Sequence, residues 1–355
     1  MLDKERLAET VMVGGRIQTG IRVTQNLLFE YQERHKNFLN GVRDGRKMIM
    51  RRCDLSGLDL SGLDLRNAEF LACDFSGASL RSANFSCAQL LASNFNQADL
   101  TDCDFSRASM RATTFQYANL SGVQLLETDL RDCAIVDDET NLSGEPIASS
   151  FQRALLRDTN MSQSKLKRAS FDYAIIDGAN LSNADLRDTS FVGTEIKGAN
   201  LAGARLDDVD LTRAALVDNT VTGLDFREVR ITPKISPDQV IAQKISHHND
   251  WIRTGGQSGQ RADFEGCDLS YRVLRGINLA AANLENAILI GTDLSGSMLA
   301  AASLRGANLF RADLRHADLR GADLIDTDMR LANLSGCRKG TLPGTGLFTL
   351  LREAV

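Results

Sequence analysis

The chain is short of several things at once. Its 355 residues include 4 prolines, 4 histidines and a single tryptophan, and aromatics make up 6%. Scarce proline leaves long ladders of backbone hydrogen bonds uninterrupted. No apolar run approaches the roughly 20 residues needed to cross a bilayer, so no membrane span is expected. The N-terminus, Met1-Leu2-Asp3-Lys4-Glu5-Arg6, is charged and lacks the apolar core of a signal peptide. A cytoplasmic location follows as the default expectation. The formal charge of −5 gives no basic footprint for direct nucleic-acid binding. Sequence motifs for chemistry are missing too: no G-x-x-x-x-G-K-(S/T), no G-x-S-x-G and no His-x-x-x-His pairing. We therefore expect no enzyme activity, no cofactor and no metal.

What the chain does have is a period. Gly306 to Gly336 contains Ala307-Asn308-Leu309, Ala312-Asp313-Leu314, Ala317-Asp318-Leu319, Ala322-Asp323-Leu324, Thr327-Asp328-Met329 and Ala332-Asn333-Leu334. The repeat is five residues, which matches neither an α-helix nor a strand. It requires a solenoid in which each fifth residue returns to the same radial position. The pattern resembles the pentapeptide-repeat family, A-(D/N)-L-x-x. That resemblance implies an all-β solenoid: a right-handed quadrilateral β-helix of stacked pentapeptide coils. One pentapeptide would form each side, with the large apolar residue and the small one two before it pointing inward.

The chain divides accordingly. Residues 1–51 are expected to form an N-terminal helical cap, in which Thr24 starts a helix ending near Asn40 and Gly41. Its Leu28, Tyr31, His35 and Phe38 share one face. Residues 52–135 are a first repeat block. Stacking every twenty residues would group Leu60, Leu80, Leu100 and Leu120 in one column, and Phe75, Phe95 and Phe115 in another. Residues 136–150 break the frame and read as a loop insertion carrying Asp137, Asp138 and Glu139. A second block covers 151–231, with Phe151, Phe171 and Phe191 again twenty apart.

Residues 232–261 are expected to be a helical insert or internal cap near 237–254, opened by Ser236-Pro237. Val240, Ile241, Ile245, His248 and Ile252 would form its buried face. His35-x-x-Phe38 before the first block is answered by His248-x-x-Trp251 before the third, and Cys53-Asp54-Leu55-Ser56 by Cys267-Asp268-Leu269-Ser270. A repeated module of helix plus coil is the reading. The third block is 262–336, with Arg272 breaking the small slot and expected to distort its coil. Residues 337–355, including Leu347 and Phe348, would form a helix that either caps the last coil or dimerises the chain.

Of the 7 cysteines, Cys53, Cys73, Cys103, Cys133 and Cys267 occupy the small inward slot, where they replace alanine. They lack zinc-type spacing and read as filler. Asp or Asn before each large residue can bond nearby amides and favours turns, so adjacent carboxylates are dictated by the repeat.

By segment the net charge is +3 over 1–50, −4 over 51–135, −5 over 136–231 and +1 over 232–355. A non-enzymatic bacterial interaction scaffold is the leading expectation, since core formation constrains two positions in five. Its partner-contact candidates lie where the repeat breaks: Asp137, Asp138, Glu139, His248, Trp251, Leu347 and Phe348. The alternative comes from the resemblance: some relatives mimic DNA and bind type II topoisomerase, which would make DNA gyrase the partner. Arginines such as Arg107, Arg111, Arg153, Arg157 and Arg168 interrupt the surface against that reading.

Overall fold

The computed structural model describes residues 21–133, 146–217, 230–232 and 237–341. The chain forms two compact units, Met1–Lys234 and Ile235–Val355.

The first unit is a stack of four-sided coils. Parallel bridges join residues twenty apart on every side: Asp54↔Asp74↔Asn94↔Thr114 on one, and Asp59↔Ser79, Asp64↔Asn84 and Glu69↔Gln89 on the others. Short strands appear where three successive residues pair instead of one. They are β1 (Ile49–Arg51) with β2 (Glu69–Leu71), the sheet of β3 (Leu155–Arg157), β4 (Ile175–Asp177), β5 (Glu195–Lys197) and β7 (Ala215–Val217), and β6 (Asp210–Thr212) with β8 (Arg230–Thr232). Each pair is parallel and offset by twenty residues.

A corner follows each inward large residue. The turn closes by a bond such as Leu58 N–H to the Leu55 carbonyl, 3.3 Å, and its third residue has positive φ. Many of these are not glycine: Arg107 (φ 59), Tyr117 (φ 56) and Arg153 (φ 57) all sit in the left-handed region. That conformation costs roughly 1–2 kcal/mol per L-residue. The ladder above and below holds it in place.

The core is columnar. Leu60, Leu80, Leu100 and Leu120 are fully buried. Phe75 stacks on Phe95 at 4.8 Å and Phe95 on Phe115 at 5.3 Å. The column then crosses the insertion: Phe115 meets Phe151 at 4.7 Å, and Phe171 and Phe191 continue it at 4.6 and 4.9 Å. The ladder skips from Thr114 to Ser150, and Cys133 and Ile147 pair antiparallel at the base of the excursion. Both blocks thus share one core. Asp137, Asp138 and Glu139 lie outside the described residues.

Polar residues in the small slot are satisfied across coils or, as Thr113 and Ser164 are, by a carbonyl three residues back. Ser93, Thr128, Thr189 and Thr194 each donate to a carbonyl 23 residues earlier, at 2.7–3.1 Å. The buried hydroxyl therefore costs little.

Helix α1 (Gln25–Leu39) lies on the first coil. Thr24 is its N-cap, accepting from Leu27 N–H. The Gln25 amide donates to the Asp59 carbonyl at 2.7 Å and accepts from Asp59 N–H at 3.1 Å, the pairing a further strand would offer. Arg22 adds a parallel bridge to Asp54. Leu28 and His35 are buried, but Phe38 is 40% exposed and stacks on the His35 ring. The expected four-residue face is thus narrower, because His35 bonds the coil while Phe38 covers His35 from outside.

The second unit repeats the plan. Helix α2 (Pro237–Arg253) precedes coils bridged from Asp263↔Asn283 to Asp318↔Arg338. Leu309, Leu314 and Leu319 are buried, and Leu324 is half-buried. Ile241 and Ile245 pack on this core, while Ile252 and Trp251 pack with Ala280 and Ala300 on one side of it. Val240, expected on the buried face, is 41% exposed. Arg272 does not distort its coil: Val273 bridges Asp293, and Leu274 is buried. The backbone ladder continues through the arginine, whose N–H donates to the Leu269 carbonyl at 3.2 Å and whose carbonyl accepts from Asp293 N–H at 2.9 Å. Leu347 and Phe348 lie outside the described residues, as does Ser236.

Candidate interaction surface

The outward positions are built from the same rungs as the core. On each rung the Asp or Asn before the inward residue turns its Oδ1 to the N–H two residues on, as in Asp54 to Ser56 and Asn94 to Asn96, both 2.9 Å. Where an arginine occupies that second position it also takes the carboxylate. Arg66 Nε and Nη2 grip Asp64 at 2.8 and 2.7 Å. The same fork joins Arg131 to Asp129, Arg187 to Asp185, Arg315 to Asp313, Arg320 to Asp318 and Arg330 to Asp328. The arginine hydrogen bond is the main cause holding the carboxyls of Asp64, Asp185, Asp313 and Asp328 below the usual range. Other arginines reach the next coil: Arg81 to Asp99 at 3.2 Å, Arg107 to Glu127 at 3.0 Å and Arg275 to Asp293 at 2.9 Å.

Asparagine removes repulsion where carboxylates would stack. Asn94 Nδ2 donates to Asp74 at 2.9 Å, and Thr114 donates to Asn94 at 3.2 Å. Asn160, Asn180 and Asn200 form an uncharged ladder on another side, at 3.4 and 3.3 Å.

One corner carries a different group. Tyr117, Arg153 and Tyr173 succeed one another on consecutive coils. The Arg153 guanidinium lies 5.6 Å from the Tyr117 ring centre and 5.4 Å from that of Tyr173, and donates to the Tyr117 hydroxyl at 2.9 Å. Tyr173 stays 43% exposed and overlies Gly193, where any Cβ would meet its ring at 2.8 Å. The sequence signal exists but is masked, since 36 residues rather than twenty separate Tyr117 from Arg153.

His248 and Trp251 come together, with rings stacked at 5.6 Å. His248 is buried and its Nδ1 accepts from Ala262 N–H at 3.0 Å. Burial, with the Ala280 carbonyl opposing it, lowers its pKa to about 4. His35 repeats the arrangement: Nδ1 accepts from Met48 N–H at 3.0 Å and Nε2–H donates to the Arg66 carbonyl at 3.0 Å. Both imidazoles join a helix to the backbone of the following coil. Trp251, half-buried, is the member of this pair that reaches the surface. Among the described residues no group of three or more His, Cys, Asp or Glu is arranged to hold a metal ion. No described helix is long and apolar enough to cross a membrane.

Rungs twenty residues apart on four sides define the class: a β-helix solenoid of pentapeptide coils. The chain belongs to the pentapeptide-repeat family, whose profile matches in eight copies within 49–86, 93–132, 149–188, 194–232, 260–296, 277–315 and 302–338. No curated protein matches the chain. Among solved structures it is similar to HetL, a pentapeptide repeat protein involved in heterocyst differentiation regulation from the cyanobacterium Nostoc sp. strain PCC 7120. Identity is 21%, covering 85% of this chain and 93% of HetL, with a TM-score of 0.20. Full-length QnrB1, a plasmid-mediated fluoroquinolone resistance protein, is 18% identical over 63% of this chain and 92% of its own, with a TM-score of 0.25. A pentapeptide repeat protein of the Arabidopsis thaliana thylakoid lumen is 18% identical over 53% and 76%, with a TM-score of 0.13. At those scores the assignment rests on the repeats themselves.

Proposed function

We propose that this protein is a non-enzymatic, cytoplasmic scaffold that binds a protein partner through its outward corners and sides. The observation that carries the reading is the Tyr117–Arg153–Tyr173 column. Tyrosine and arginine are, with tryptophan, the side chains enriched at binding hot spots. Here each is held by its neighbours before a partner arrives, so little ordering entropy remains to be lost on binding. Helix α1 serves as the N-terminal cap and α2 as an internal cap, and the 136–150 excursion is a second place for partner contact.

Paired charges favour this over DNA mimicry. Phosphate mimicry calls for a continuous negative side, and here forked arginines answer the carboxylates rung by rung. The test is affinity capture with the full chain and with a Tyr117→Ala/Tyr173→Ala variant of equal stability. The scaffold reading expects a discrete protein captured by the first and lost with the second. Protection of purified DNA gyrase from a quinolone at micromolar protein would instead support the mimic.

A further inference from the structure

Two thiols stand on adjacent coils in one column. Cys53 and Cys73 are twenty residues apart, both in the small inward slot, and Asp74 N–H donates to the Cys53 carbonyl at 2.9 Å between them. Their rungs are bridged in register through Asp54 and Asp74. Adjacent parallel rungs lie about 4.8 Å apart, inside the roughly 4.4–6.8 Å of Cα separation that a disulfide spans. The column continues with Ser93, whose hydroxyl accepts from Cys73 N–H at 3.3 Å. No other described pair of thiols shares adjacent positions in a column. Cys53 is half-buried and Cys73 only 1% exposed, and both are free thiols. The Cys73 Sγ points back at the first coil, 3.4 Å from the Met50 carbonyl. Leu27 and Tyr31 of α1 pack on the same cluster as Cys53.

We propose that Cys53 and Cys73 form a redox-controlled staple between the first two coils, made by exchange with a low-molecular-weight disulfide. Cys53 is the attacking group. It is the more accessible thiol, and its contact with Cys73 lowers its pKa while raising that of Cys73. The Cys53 thiolate attacks one sulfur of the small disulfide. The S–S bond breaks, one small thiolate leaves and takes up a proton, and a mixed disulfide remains on Cys53. Cys73 then attacks the Cys53 sulfur; the mixed S–S bond breaks, and the second small thiolate is expelled and takes up the Cys73 proton. Two protein thiols are oxidised, and the small disulfide is reduced to two thiols. The product ties the coil under α1 to the next, so the end of the stack can no longer fray one coil at a time. This inference does not depend on the partner-binding proposal.

The full chain, equilibrated in buffers of oxidised and reduced glutathione and digested without reduction, tests it by mass spectrometry. The staple predicts a Cys53–Cys73 linked peptide about 2 Da lighter than its two reduced peptides together and a denaturation midpoint raised in the oxidised buffer. Cys53→Ala and Cys73→Ala, which restore the commonest residue of that slot, should each fold and lose both effects. Cys53 and Cys73 staying open to alkylation once exposed Cys87 is fully glutathionylated would overturn the proposal. So would linkage appearing only in denaturant.

Discussion

Phe115 and Phe151 stack at 4.7 Å with their planes 7° apart, although 36 residues separate them where the ladder normally needs twenty. The intervening excursion therefore adds sixteen residues to one side and leaves the coil closed. Deleting 133–148 would join Asp132 to Ser149 and restore the twenty-residue step. Because lengthening or shortening a surface loop changes closure entropy slowly, chemical denaturation should show a change within about 1 kcal/mol. Loss of the folded state on deletion would mean the excursion holds the two blocks together.

The leucine column gives the opposite expectation. Leu100 is fully buried with Leu80 and Leu120 in neighbouring coils. Leu100→Asp places an unpaired charge there and should cost more than about 4 kcal/mol, enough to abolish folding. Phe151→Ala, which leaves a gap in the stacked phenylalanines, should cost about 3–5 kcal/mol. Circular dichroism melting of both variants checks the inward assignment.

Glycines at the corners should divide into two groups. At Gly122 (φ +71) an added Cβ would lie 2.2 Å from Asp102 Oδ1, whereas at Gly57 (φ +67) nothing lies within 4 Å. Gly57→Ala meets only the left-handed penalty of about 1 kcal/mol. Gly122→Ala adds the displacement of the Asp102 carboxylate, an excess of about 0.5 kcal/mol that Asp102→Ala in the same chain should recover. Equal losses at the two glycines would show that corner stacking is not the cause.

The buried histidines set an acid limit. The folded-state pKa of His248 lies at about 4, below its ordinary value, because burial disfavours the cation. The unfolded chain therefore takes up the proton first. Stability is complete above about pH 6.5, falls as pH drops towards 4, and stops changing from this source below that. The forked carboxylates behave as groups with lowered pKa: their contribution is present above their unfolded value near 4 and is lost below it. Denaturant unfolding of the full chain across pH 3–8 should show these two successive declines. A stability curve flat between pH 6.5 and 4 would contradict the buried neutral imidazoles.

The repeating parts of this fold were open to reading from sequence because a single period governs them. Leu60 to Leu120 and Phe75 to Phe115 align once twenty residues make a turn, and Thr24 and Gly41 mark a helix by local chemistry alone. Residues whose role depends on two coils at once were harder to see. Arg153 meets Tyr117 only after the excursion is removed from the count, so periodicity conceals the pair. Arg272 looks disruptive in a one-dimensional pattern, yet the backbone ladder tolerates it. Phe38 sits at helical spacing with Leu28, but it covers His35 and not the core. The pairing of carboxylates by arginines two residues on is visible as Asp-x-Arg, and its electrostatic meaning emerges only when both side chains leave the same side.

The scaffold account is tested most directly at Tyr173, the exposed end of the Tyr–Arg–Tyr column. A photoreactive residue placed there in the full chain, with Ile325→photoreactive as an exposed control in the second unit, can be cross-linked in cells and the products identified. The account predicts one discrete protein product from position 173 and none of it from position 325. No product at 173, or the same products at both positions, would contradict it.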